Sequence, residues 1–210
     1  AAAELNLTAS GILDTSAATL SVTNTNAASD AEAKATLASS AGTVNAGPVS
    51  VVNNGNGLAQ LTVSGQEGAT IAGVLSAASD SGIANIALGS GNGSLTIGQA
   101  VTATGNTSAT VDVTVNGLLT ANADIAASAA TGAAQVDLSS EMEKVVLNGN
   151  VNANGGLYGG VNVSAAQGID VNGDILASAH GYAEVTLSSV PAATLVPAAG
   201  GSITQDAEST

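Results

Sequence analysis

Val161-Asn162-Val163-Ser164-Ala165, followed by Ile169-Asp170-Val171-Asn172-Gly173-Asp174-Ile175-Leu176-Ala177, carries the pattern from which the fold follows. In both halves aliphatic residues alternate with other ones, the period of a strand with one buried face. The halves are joined by Asn172-Gly173-Asp174, residue types that accept the left-handed backbone of a tight corner.

The same pattern recurs upstream and downstream. Leu61-Thr62-Val63-Ser64, Ile86-Ala87-Leu88-Gly89, Val111-Asp112-Val113-Thr114, Val136-Asp137-Leu138-Ser139 and Val185-Thr186-Leu187-Ser188 repeat the first half at spacings of 25 and, once, 24 residues. Leu95-Thr96-Ile97, Leu119-Thr120-Ala121 and Val145-Val146-Leu147 keep step as copies of the second half. Leu5-Asn6-Leu7-Thr8 and Ala35-Thr36-Leu37-Ala38 open two looser copies. A hairpin would pair neighbouring segments. A constant period instead sets each segment beside its own copy one coil away, which is the signature of a solenoid.

The chain is therefore expected to be all-β: a parallel β-helix (β-solenoid) of about eight coils of roughly 25 residues. It forms one domain over 1–210, with irregular first coils over 5–60, regular repeats over 61–184 and a terminal coil and tail over 185–210. Three inward columns follow. They are Leu61, Ile86, Val111, Val136, Val161, Val185; then Ile71, Ile97, Ala121, Leu147, Val171; then Leu75, Val101, Ile125, Val151, Ile175. Asn122, Asn148 and Asn172 form a polar corner column in which amides hydrogen-bond along the stack. Tyr158 and Tyr182 hold equivalent positions and are expected to stack. A single coil buries too little to offset the ordering of its backbone, so only an array is stable.

Composition agrees. Aromatic residues make up 1% of the chain and charged residues 9%, while small aliphatics abound. Such residues fill a thin core rather than a thick one. The mean hydropathy of +0.35 argues against a disordered chain. The net charge of −14, with Lys34 and Lys144 as the only basic side chains, excludes nucleic acid as a partner. It also disfavours anionic lipid. No run of eighteen apolar residues suggests membrane insertion. There is no cysteine, hence no disulfide or thiolate site. Ala1-Ala2-Ala3 is compatible with the small residues that follow a removed signal peptide.

The pattern Val-x-Val-Ser-Ala … Ile-Asp-Val-Asn-Gly-Asp-Ile-x-Ala, over roughly 61–190, resembles the repeats of filamentous-haemagglutinin-type exoproteins and related bacterial adhesins. The resemblance implies a parallel β-helix, export from a bacterium and a role in adhesion, matrix or filament formation. No secretion domain or membrane-barrel region accompanies it.

Chemistry-bearing residues are few. His180 is the only histidine and is placed at a corner, so a histidine metal cluster is impossible and a solvated loop residue is expected. Asp112 and Asp137 share an outward column one coil apart. Paired carboxylates are what a two-carboxylate hydrolase uses, and oxygen ligands are what calcium prefers. The surroundings carry no Arg, Trp or Phe for a substrate groove, and no Gly-Gly-x-Gly-x-Asp repeat, so a solvated face is the preferred reading. No catalytic residue, cofactor or resident metal is expected. Asn6, Asn92, Asn106 and Asn162 begin glycosylation sequons of the kind that an Asn- and Thr-rich chain contains by chance. Thr96, Thr102 and Thr120 look scattered, which disfavours an ice-binding face.

The functional expectation is an extracellular or cell-surface structural protein that assembles with itself into a filament, sheath or layer. The alternative is the shaft or binding module of a bacterial surface adhesin, with a surface or host ligand as partner. The assembly candidates are Leu5 and Leu7 at the first coil, because strand edges template further pairing, and Val146 and Leu176, outward apolar residues expected to share one face. Pro191 and Pro197 in the final coil are expected to blunt that edge.

Overall fold

A computed structural model describes residues 2–27, 30–189, 196–197 and 203–207. Among these residues there is no helix, and the strands form three parallel sheets of eight strands each. The chain is a β-solenoid of about seven turns with about 25 residues per turn. Sheet A, the longest-stranded, is built from Ala3–Ala9, Ala33–Ser39, Leu58–Gly65, Ile83–Ser90, Ser108–Val115, Ala133–Ser140, Tyr158–Ala165 and Tyr182–Ser189. These strands define rungs one to eight. Sheets B and C supply the other two sides of each rung, for example Lys144–Leu147 and Val151–Gly155 in rung six.

The predicted columns are the observed ones. Leu61, Ile86, Val111, Val136, Val161 and Val185 are successive register partners in sheet A. The column continues upstream through Ala35 to Leu5. Ile71 to Val171 runs down sheet B and Leu75 to Ile175 down sheet C as expected. A further column lay unnoticed in the sequence: Ala33, Ala59, Ala84, Ala109, Ala134, Gly159 and Ala183, inward at the start of the sheet A strands. Alanine there leaves room for sheet C to close against sheet A, and Ala33 to Ala134 are all fully buried.

The first coils are looser because their corners are longer. Ala3 pairs with Ala33, 30 residues on, whereas Ala59 pairs with Ala84, 25 on. The corner from Asn24 to Ala33 takes nine steps and the equivalent Ser79 to Ala84 takes five. Two buried asparagines fill the wider corner. Asn24 Nδ2 and Asn53 Nδ2 both donate to the carbonyl of Ala31 at 3.0 Å, and Asn24 Nδ2 also donates to Asn53 Oδ1 at 3.0 Å.

One expectation about the corners is corrected. Gly149 and Gly173 do not adopt the left-handed backbone; among the described residues the positive-φ positions are Gly68 and Gly168, at the start of sheet B strands. The corner glycines are required by contact. A Cβ on Gly173 would lie 2.6 Å from the carbonyl carbon of Gly149 one rung below. Pro197 lies in the last strand of sheet B, and Ile203–Ala207 adds a strand to sheet C beside Ile175–Ala179. Ala1, Pro191 and Ser202 lie outside the described residues.

Candidate functional site

The outer face of sheet A over rungs five to eight carries most of the chain's distinctive chemistry. Alternation sends Asp112, Asp137 and Asn162 outward in one column, as their inward neighbours Val111, Val136 and Val161 enter the core. A half-buried Asp137 is held by amides from both sides. Asn162 Nδ2 donates to Oδ1 at 2.8 Å, and Gln135 Nε2 donates to Oδ2 at 2.7 Å. Asp112 is exposed and accepts from Thr114 Oγ1 at 3.3 Å. It borders a shallow depression lined by Thr62, Ser64, Ala87, Gly89 and Thr114.

The structure thus brings Asp112 and Asp137 together as expected, yet both oxygens of Asp137 already accept amide protons. Calcium takes six to eight oxygen ligands. Among the described residues there is no group of three or more His, Cys, Asp or Glu side chains placed to hold a metal.

One rung further, Tyr158 and Tyr182 stack with ring centroids 5.9 Å apart and planes at 17°. Gly160, two residues along the same face, makes room for the Tyr158 ring; a Cβ there would lie 2.7 Å from Cε1 and Cζ of that ring. Desolvation first, then the carboxylates of Glu184 and Asp137 and the Tyr182 phenol, raise the Tyr158 pKa above the usual phenol value. Tyr182 is 57% exposed and Leu157, just before Tyr158, is also exposed. His180 is exposed at the neighbouring corner.

The assembly candidates separate. Leu5 and Leu7 lie in the first strand of sheet A, with Leu5 packed against the core but only partly covered. Val146 is on sheet B between Thr120 and Asp170, and Leu176 on sheet C between Asn152 and Thr204. Both are half-buried, and because they stand on different sheets they do not form the single face that the sequence reading gave them.

Other polar features divide between the legible and the missed. The corner ladder is present: Asn148 Nδ2 donates to Asn122 Oδ1 at 2.8 Å, and Asn172 Nδ2 to Asn148 Oδ1 at 2.6 Å. The threonines are scattered only in part, and Val146 and Asp170 fill the equivalent sheet B places further along. Thr70, Thr96 and Thr120 are consecutive register partners on sheet B, while Thr102 belongs to sheet C. Inward serines had gone unread. Ser90 Oγ accepts from Gly93 N at 3.0 Å and Ser140 Oγ from Glu143 N at 3.2 Å, each turning the chain out of sheet A. The signal was the smallness of the residue one past most of these segments, Gly65, Ser90, Ser140 and Ala165, with Val115 the exception.

Comparison with known proteins adds no family. No family model, no curated protein and no solved structure matches this chain. The likeness to filamentous-haemagglutinin-type repeats holds at the level of the parallel β-solenoid.

Proposed function

We propose that the chain is a non-enzymatic structural rod that works outside the cell and is lengthened by further rungs, with a second copy of itself as one source of them. The observation that carries this reading is the contrast at the first rung. Leu5, Leu13 and Leu20 pack on the core but stay partly exposed. One rung in, Val44 and Val49 are 1% exposed, and Leu37 is fully covered. Among the described residues, the outer edge of Ala3–Ala9 has no partner strand. Apolar columns and a backbone ladder that stop at an open rung are a template for another strand. The cross-rung hydrogen bonds and the core repeat at every step, so the rod needs no defined length.

Sedimentation and negative-stain microscopy of the 210-residue chain test this. Concentration-dependent fibres are expected, and Leu5→Lys with Leu7→Lys should abolish them while circular dichroism stays β-rich. Val146→Lys with Leu176→Lys should leave them intact. A chain that remains monomeric at high concentration in native salt overturns the self-assembly reading, and the adhesin-shaft reading replaces it.

A further inference from the structure

We propose that Tyr158 and Tyr182 are the site of an intramolecular dityrosine cross-link that staples rungs seven and eight of sheet A. These are the chain's only tyrosines and its only aromatic residues. In a sequence of 210 residues the register brings both to the same column, as direct partners in adjacent strands. Partners in a parallel ladder lie about 4.8 Å apart along the stack. The rings overlap with centroids at 5.9 Å and planes at 17°. Gly160 keeps the surface beneath Tyr158 clear. Tyr182, more than half exposed, is open to an oxidant and able to turn its ring.

The chemistry requires a one-electron oxidant, namely a haem peroxidase with hydrogen peroxide. Each phenol gives up one electron and one proton to become a tyrosyl radical. The two radicals join through a bond between the ring carbons ortho to the oxygens. The hydrogen on each joined carbon leaves as a proton and each oxygen regains one, restoring two phenols. The peroxide takes the two electrons and two protons and becomes two waters, so the protein loses two hydrogens overall.

The staple closes the 23 residues between Tyr158 and Tyr182 and anchors the strand Tyr182–Ser189, whose inward Val185 and Leu187 are only partly covered. The chain has no cysteine, so this pair supplies a covalent tie that disulfides do not. The proposal does not depend on self-assembly, because both rings belong to one chain.

The test treats the dilute 210-residue chain with a haem peroxidase and limiting hydrogen peroxide. Dityrosine fluorescence is expected in the monomer, with an intact mass lower by two hydrogens. Cleavage at Asp170 and Asp174 should leave the two tyrosine fragments joined. Tyr158→Phe and Tyr182→Phe should each abolish the monomer product. Gly160→Ala, which displaces the Tyr158 ring without touching the core, should lower its yield severalfold. Fluorescence confined to covalent dimers, or a monomer product unchanged in Gly160→Ala, overturns the proposal. So does the absence of any product.

Discussion

The first two coils and the regular coils solve one problem in two ways. Both continue the same inward columns of sheets A and C, so those columns do not distinguish them. They differ at the corner where sheet C turns into sheet A. In the regular coils that inward corner position is Ser79, Gly105, Ala129, Gly155 or Ala179, and the turn is short. In the first coils the position is Asn24 and Asn53, and the turn is longer. A longer loop brings an extra carbonyl inward, that of Ala31, and a buried carbonyl must be paired. Two amides do so. A solenoid therefore tolerates variation in loop length when the corner, and not the core, supplies the compensating hydrogen bonds.

The largest effect expected is in the core that both regions share. Val151 is fully buried in the sheet C column, and Val151→Asp places an unpaired charge there. It should cost about 4 kcal/mol or more and abolish a cooperative melt. Asn152→Asp, outward beside it, should shift the melting temperature little. Thermal denaturation followed by circular dichroism decides between them, and equal melting temperatures would break the register.

A smaller effect separates the two corner solutions. Asn53 Oδ1 accepts from Asn24 and from Gly55 N, and its amide donates to Ala31. Removing all three bonds in Asn53→Ala should cost about 2–3 kcal/mol, because the Ala31 carbonyl and the Asn24 amide each lose a buried partner. Ser79, at the same column position, donates to Gly57 O at 2.9 Å and accepts from Gly82 N at 3.1 Å. Ser79→Ala should cost about 1 kcal/mol. Urea titration of both variants measures the difference, and matching midpoints would remove the distinction between the corners.

The smallest effect is a pH dependence at the far end of the rod. The folded state raises the Tyr158 pKa, so between about pH 10, where an unfolded phenol ionises, and the higher folded value the unfolded chain holds fewer protons. Stability from this group is full below that window and falls as pH rises through it. Tyr158→Phe should flatten that part of the alkaline stability profile. A slope identical in both proteins would mean that the ring pair is not linked to folding.

Much of this was legible in one dimension. The inward columns, the corner asparagine ladder and the tyrosine stack all follow from a 25-residue period combined with alternation, because a parallel stack converts sequence spacing directly into spatial adjacency. The alanine column and the inward serines left only a signal of size, since small residues suit either face and carry no hydropathy signal. The pairing of Val146 with Leu176 failed for a related reason. Both are outward by alternation, but alternation does not say on which of three sheets an outward residue stands.

The sequence is enough to say which residues face the core and which copies touch. Those depend only on strand period and repeat length. The tertiary structure alone decided how the corners close: that Gly173 is needed for contact with Gly149 rather than for its dihedral freedom, that Ala31 calls for two buried amides, and that both oxygens of Asp137 are already taken by Asn162 and Gln135. Corner packing and hydrogen-bond partnership depend on the path of loops whose lengths vary. No periodic rule encodes that path until the rungs are stacked.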